Sequence, residues 1–381
     1  IRMMVEGEFG YVDTILTIGC AMIFMKVIEG SGALDALSSL IIEKFHRFPA
    51  VLLVLIMLII MFPGMITGSS TAAVLSAGSI MAPVLALMGI DAVTSGSIIA
   101  MGALLGMIAP PVNTAALIIC AGIDVPYVGF EGPLALITFP LAILFVLLLG
   151  YKQARHMDYE KLKPALEKQD AIRKQYGVRI YIPLLVLVAL MVIFKVLKLG
   201  EDIGMPLMFL ISAAVGLFTG KKINVLTAVP EAIRTAAPVM GILMGVGMFI
   251  EVMTATGVRG LVVISCLRLP STLWLLACAI SIPLFGAVSS YGACSVLGVP
   301  FAYIYASLLG GNSVVVLAAI SLIAAVGDMM PPTALAGLFA AQVTGVEKYT
   351  KILKRCIVPI IILLVYACFF LANSKLIAGL F

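Results

Sequence analysis

Charge is what this chain lacks most. Only 11% of its 381 residues are Asp, Glu, Lys or Arg, against 62% that are hydrophobic, a balance that no water-soluble domain of this size carries on its surface. Histidine is nearly absent too: with His46 and His156 alone, a histidine-based metal centre or hydrolytic triad has little to be built from. The seven cysteines form no CxxC pair and mostly sit inside apolar runs, so they read as small buried residues rather than a disulfide or metal framework. The apolar runs do not alternate with period two, which excludes a membrane β-barrel pattern. A net charge of +5 says little about acidic partners, and no nucleic acid is implied. These absences leave a polytopic, all-α protein of the lipid bilayer.

One stretch stands out against that background: Phe62-Pro63-Gly64-Met65-Ile66-Thr67-Gly68-Ser69-Ser70-Thr71-Ala72. The charge-free arm before it, Ala50 to Pro63, would reach only about 20 Å as a helix, short of the roughly 30 Å hydrocarbon core. The arm is therefore expected to enter, break at the glycines and serines, and return along Ala73 to Met88 as a re-entrant helical hairpin. Irregular backbone at that depth is tolerated only inside protein or beside a wet cavity, since lipid offers no partner to a free N–H or C=O.

The stretch occurs twice. Sliding the sequence by 221 residues places Arg47-Phe48-Pro49 on Arg268-Leu269-Pro270, Gly68-Ser69 on Ser289-Ser290, and Pro110-Pro111 on Pro331-Pro332. Duplication of a membrane unit with breaks at matching places marks a secondary transporter built as an inverted repeat with two discontinuous helices. The expected plan is a first repeat over 1–150 (hairpin about 48–89, broken helix 93–120), a hydrophilic linker over 151–179, and a second repeat over 180–381 (hairpin about 269–309, broken helix 314–341). Crossings are expected at Ile180 to Leu197 and Met205 to Phe218, with no counterpart in the first repeat, which predicts two further helices before residue 1, from the same chain or supplied by another. Placing the linker in the cytoplasm also puts Lys221-Lys222 and Lys348, Lys351, Lys354 and Arg355 there and Glu201-Asp202 outside, as the positive-inside rule asks, and leaves the C-terminus periplasmic.

At each tip the returning arm offers free N–H groups and a positive dipole end, a place for an anion without any arginine. Carbonyls freed at the Pro-Pro breaks, with Ser and Thr hydroxyls, suit a small hard cation such as Na+. The first cation site would join Gly68, Ser69 and Ser70 to Pro110 and Asn113; the second would join Ser289, Ser290 and Gly292 to Met330 and Thr333. Asp328, the one carboxylate deep in an expected crossing, either faces a cation, cavity or proton path or lies in water near the surface. The substrate-facing candidates are Ser69, Ser70, Thr71, Asn113, Ser290, Tyr291 and Thr333. A plainer reading makes such clusters packing surfaces, Asn113 a cap for broken backbone and Tyr291 a packing residue, but recurrence opposite a Pro-Pro break in both halves favours a site. Lys26 and Glu251 are expected to snorkel from helix ends.

Thr67-Gly68-Ser69-Ser70-Thr71-Ala72, Ile80-Met81-Ala82-Pro83, Ile108-Ala109-Pro110-Pro111 and Asp328-Met329-Met330-Pro331-Pro332 resemble the ion transporter superfamily, most closely the large membrane subunit of tripartite ATP-independent periplasmic (TRAP) transporters. The resemblance implies a bacterial inner-membrane importer that couples Na+ to uptake of a small organic anion, a carboxylate or dicarboxylate. It further implies a periplasmic substrate-binding protein, a small membrane subunit, and an elevator motion of the hairpins against a scaffold. A stand-alone proton- or sodium-coupled symporter of the same superfamily is the alternative. An intramembrane aspartyl protease would need a second membrane aspartate beside Gly327-Asp328, and the chain does not provide one, so no enzyme is expected.

Overall fold

Every regular element among the described residues is helical. The computed structural model describes residues 2–10, 12–155, 171–196, 203–270 and 273–381. Residues 156–170 of the expected linker, and Glu201-Asp202, lie outside them. Among the described residues, seven helices are long and apolar enough to cross a bilayer, including Glu131–Ala154, Val225–Ala255 and Tyr349–Ala372. The last shows why apolar residues stay on its surface: Ile357, Val358, Ile361, Val365 and Phe369 are exposed along one stripe at helical spacing, the side that lipid would cover.

The innermost elements are two helices that are apolar all round. In Ala92–Ile108 every residue from Thr94 onward is buried, as is every residue of Ser313–Ala325 from Val315 onward. Each starts on a side-chain cap: Asp91 accepts the Thr94 N–H at 3.0 Å and Asn312 accepts the Val315 N–H at 3.1 Å. Each then loses helical geometry beside a proline pair, where the missing N–H groups cannot continue the ladder. The first resumes as Thr114–Gly122, and the second passes through a tight turn, Val326–Met329, before resuming as Leu335–Thr344. Both Pro110-Pro111 and Pro331-Pro332 bonds are cis.

The hairpins pack on these helices through glycine. The first comprises Pro49–Thr67 and the returning arm Ser70–Leu87, the second Trp274–Gly286 and Ser290–Leu308. A Cβ on Gly106 would stand 2.5 Å from the Met61 carbonyl oxygen, and one on Gly327 2.6 Å from the Gly286 backbone. In both halves, the outgoing arm thus touches the helix that will break, backbone to backbone.

Two lengths differ from the sequence expectation. The first outgoing arm does not stop at Pro63. It runs 19 residues to Thr67 with the proline inside it, so about 28 Å, and the argument that this arm is too short to cross does not hold. Membrane helices tolerate an interior proline, and beyond this one the Thr67 hydroxyl donates back to the Pro63 carbonyl at 2.7 Å as the helix ends. Conversely, the expected crossing at Met205 to Phe218 is a 12-residue helix, Met205–Gly216, too short to span at 1.5 Å per residue.

Candidate functional site

Each returning arm begins with a serine cap. Ser69, in extended backbone, accepts the Ala72 N–H at 3.3 Å, and Ser289 accepts the Gly292 N–H at 3.1 Å. Four α-helical residues and a five-residue π-helical segment follow in both, Val74–Gly78 and Cys294–Gly298. The cap positions are 220 residues apart (289 − 69), whereas the proline pairs are 221 apart, so the true register matches Ser69 with Ser289, Ser70 with Ser290 and Thr71 with Tyr291. The single slide of 221 was one residue out across the tips.

The two tips meet. The Tyr291 hydroxyl of the second hairpin donates to the Gly68 carbonyl of the first at 2.9 Å. Ser70 from the first and Ser290 from the second each donate a hydroxyl to a different oxygen of the same carboxylate, Asp328. Asp328 is buried, on the Val326–Met329 turn that Gly286 packs against, so of its two open readings the wet surface position is excluded. Behind the tips the breaks are tied to the hairpins: the Val112 N–H donates to the Met65 carbonyl at 3.1 Å, and the Thr333 hydroxyl to the Ala287 carbonyl at 2.8 Å.

A cavity of about 450 Å³ opens in front of this junction. Ser69, Ser70, Thr71, Ser289, Ser290, Tyr291, Asp328 and Thr333 line it, and the facing wall comes from the helices Val12–Ser31 and Val225–Ala255. Gly68, Pro110, Asn113, Gly292 and Met330 are not among the lining residues. The Asn113 side chain is fully engaged elsewhere: its amide oxygen accepts the Ala116 N–H at 2.9 Å, and its amide nitrogen donates to the Ile108 carbonyl at 3.1 Å and to Ser321 of the other broken helix at 2.9 Å. The break at Pro110-Pro111 is covered by Tyr127, whose hydroxyl donates to the Pro111 carbonyl at 3.2 Å and accepts the Asn113 N–H at 3.3 Å.

Three features of the site were not found in the sequence. Thr114 has a fully buried hydroxyl beside Gly68 and Tyr291 that makes no hydrogen bond of good geometry. Lys26 and Glu29 line the cavity from the Val12–Ser31 helix, so Lys26 does not simply snorkel: its ammonium lies 3.4 Å from Glu29 and 3.0 Å from Glu231. A lysine and a glutamate three residues apart in an apolar helix were the available signal, since intramembrane charges commonly mark a functional site. No group of three or more His, Cys, Asp or Glu that could hold a metal ion occurs among the described residues. The Asp328 carboxylate and hydroxyl and carbonyl oxygens are the donors this site offers, and oxygen donors suit a hard cation.

The family model described as the tripartite ATP-independent periplasmic transporter, DctM component, matches residues 3–374. Among solved structures, the chain is similar to the YdaH transporter of Alcanivorax borkumensis, whose crystal structure is described as revealing an unusual topology. The TM-score is 0.63 at 15% identity, covering 98% of this chain and 87% of that one, a likeness of fold alone. No curated protein matches.

Proposed function

The chain belongs to the family of the DctM component of tripartite ATP-independent periplasmic transporters, and from that premise we propose that it imports a small organic anion together with Na+ by an elevator motion. A DctM component is a multi-span inner-membrane part of a TRAP-type secondary transporter and works with a small membrane subunit and a periplasmic binding protein. Beyond that, the proposal assigns the hairpins and broken helices to the moving body and the helices Val12–Ser31 and Val225–Ala255 to the scaffold. It places the linker in the cytoplasm and the C-terminus in the periplasm.

The observation that carries the reading is the convergence of both hairpin tips on Asp328 at the wall of one cavity. Among the described residues the side chains that hold this buried carboxylate are two hydroxyl donors, which leaves it short of positive charge, and a co-transported cation supplies it. Ser70, Ser290 and Thr333, which line the cavity with Asp328, and the buried Thr114 hydroxyl beside Gly68 are the oxygens this reading assigns to such an ion. The anion then enters a cavity whose charge has been offset by Na+, which couples the two. Uptake into proteoliposomes holding the chain, its small subunit and its binding protein tests this. It should require an inward sodium gradient, and Ser70→Leu should remove it without unfolding the protein. Equal uptake with potassium in place of sodium would refute the coupling, and strong uptake without the binding protein would favour the stand-alone symporter.

A further inference from the structure

We propose that Lys26 receives the carboxylate of the substrate, and that Glu231 occupies it until the anion arrives. The inference rests on the transport reading above and deepens it by naming how the anion is recognised. Among the described residues that line the 450 Å³ cavity, Lys26 is the one Lys or Arg. At the tip end of the same cavity the charged group is Asp328, which the reading above gives to the cation; Glu29 also lines the other end, where Lys26 is the cationic side chain with which an anionic head can pair.

The lysine is built to exchange partners. Glu29, three residues on in the same helix, stays beside it through any exchange. Glu231 reaches it from the Val225–Ala255 helix, with its side chain 62% exposed. Ion pairs with so wet a partner contribute little, so replacing Glu231 by another carboxylate is close to neutral in the open and favourable once water is excluded. A displaced Glu231 is not stranded: it lines a second cavity with Lys26, Glu29 and Lys222, where Lys222 offers another cation. The four-carbon stem of Lys26 lets its ammonium swing between the two cavities, both of which it lines.

The far end sets the rest of the ligand. Between Lys26 and the tips the walls are apolar, with Met22, Met25, Val239 and Ile242. At the tips a substrate meets Ser70, Ser290 and Thr333, whose O–H groups are already given to Asp328 and to the Ala287 carbonyl and whose spare lone pairs call for donors. The chemistry that fits is a monocarboxylate ending in hydroxyl or ammonium groups, in preference to a dicarboxylate.

The test uses the purified membrane complex, this chain with its small subunit and without the binding protein, in detergent, with thermal stabilisation and calorimetry as readouts and with sodium gluconate, 4-aminobutyrate, succinate and sorbitol as probes. Gluconate or 4-aminobutyrate should bind more tightly than succinate, and uncharged sorbitol should not bind. Lys26→Gln should weaken that binding on the order of tenfold to a hundredfold, the loss of one charge-assisted contact. Lys26→Arg should retain most of it, and Glu231→Gln should tighten it by removing the competitor. Lys26→Gln binding as well as the unaltered protein, succinate binding more tightly than both monocarboxylates, or no probe binding at all would overturn the proposal. Stabilisation by sodium over potassium, measured with no anion present, separates the two readings. If it persists in Lys26→Gln, that variant is folded and any failure belongs to Lys26; if it is missing from the unaltered protein, the sodium-coupled reading fails instead.

Discussion

The two hairpin tips share a plan and part company where they touch. Both start the returning arm on a capping serine and send the next serine to Asp328. The first tip, however, has Gly68 in left-handed backbone at φ 63°, pressed against Thr114, whereas the second has Val288, 71% exposed at the cavity. After the serines the first has Thr71 and the second Tyr291, and the tyrosine crosses to the Gly68 carbonyl. One tip is thus the closely fitted receiver and the other the arm that reaches over, so the duplicated unit supplies shared caps while its departures supply the fit between halves.

The comparison can be broken most severely at Gly68. A Cβ there would stand 2.1 Å from the Thr114 hydroxyl, and the backbone conformation alone costs about 1–3 kcal/mol for a branched residue, so Gly68→Val should abolish uptake and lower the melting temperature. The reciprocal change, Val288→Gly, should leave both nearly unaltered; equal damage at the two positions would show that the tips are not specialised. Next in size is Asp328→Asn, which keeps the shape but removes the charge shared by both tips. Sodium-dependent uptake should fall by on the order of tenfold to a hundredfold. Ser70→Ala and Ser290→Ala should each produce part of that loss, and a much larger loss from one would assign Asp328 mainly to that hairpin. Tyr291→Phe removes the crossing hydrogen bond at a cost of about 1 kcal/mol, read as a fewfold weaker sodium dependence and a small drop in melting temperature.

The smallest effect lies one element outward, at the caps of the broken helices. Burial acts to raise the Asp91 pKa, but the Thr94 N–H and the Gln153 amide outweigh it and hold the carboxyl below its usual range. A lowered carboxylate adds stability above its unfolded pKa and loses it as pH falls through the folded value. Asp91→Asn should therefore cost at most about 0.5 kcal/mol at neutral pH, since solvent screens the exposed carboxyl, and nothing in strong acid. Asn312, its counterpart, does not titrate, and Asn312→Asp should transfer the same acid sensitivity to the second half, as melting curves across pH would record.

Much of this was legible because breaks in apolar helices are loud. Prolines in pairs and Gly-Ser-Ser turns contradict helical propensity, so the positions where backbone leaves the helix could be read from the sequence. What could not be read was distance. The partner of Lys26 is 205 residues away, and Ser70 and Asp328 are 258 apart, so neither pair leaves a local pattern. The register across the tips slipped by one residue because an extra residue lies between the second hairpin's cap and its proline pair. Pro63 differs for another reason: a proline by itself signals a helix end, and here the helix runs on through it to Thr67.

The glycine contacts under each hairpin limit how the molecule can deform. Where Gly327 lies on Gly286 and Gly106 on Met61, bare main chain meets bare main chain, and such a joint has no cushion of side chains across which to shear. In the proposed cycle each hairpin must then ride with the break it is seated on. Slippage is left to the opposite flank, where the cavity lies between the tips and part of the Val225–Ala255 helix. A tether spanning that gap would arrest the machine, and one spanning the glycine joint would go unnoticed.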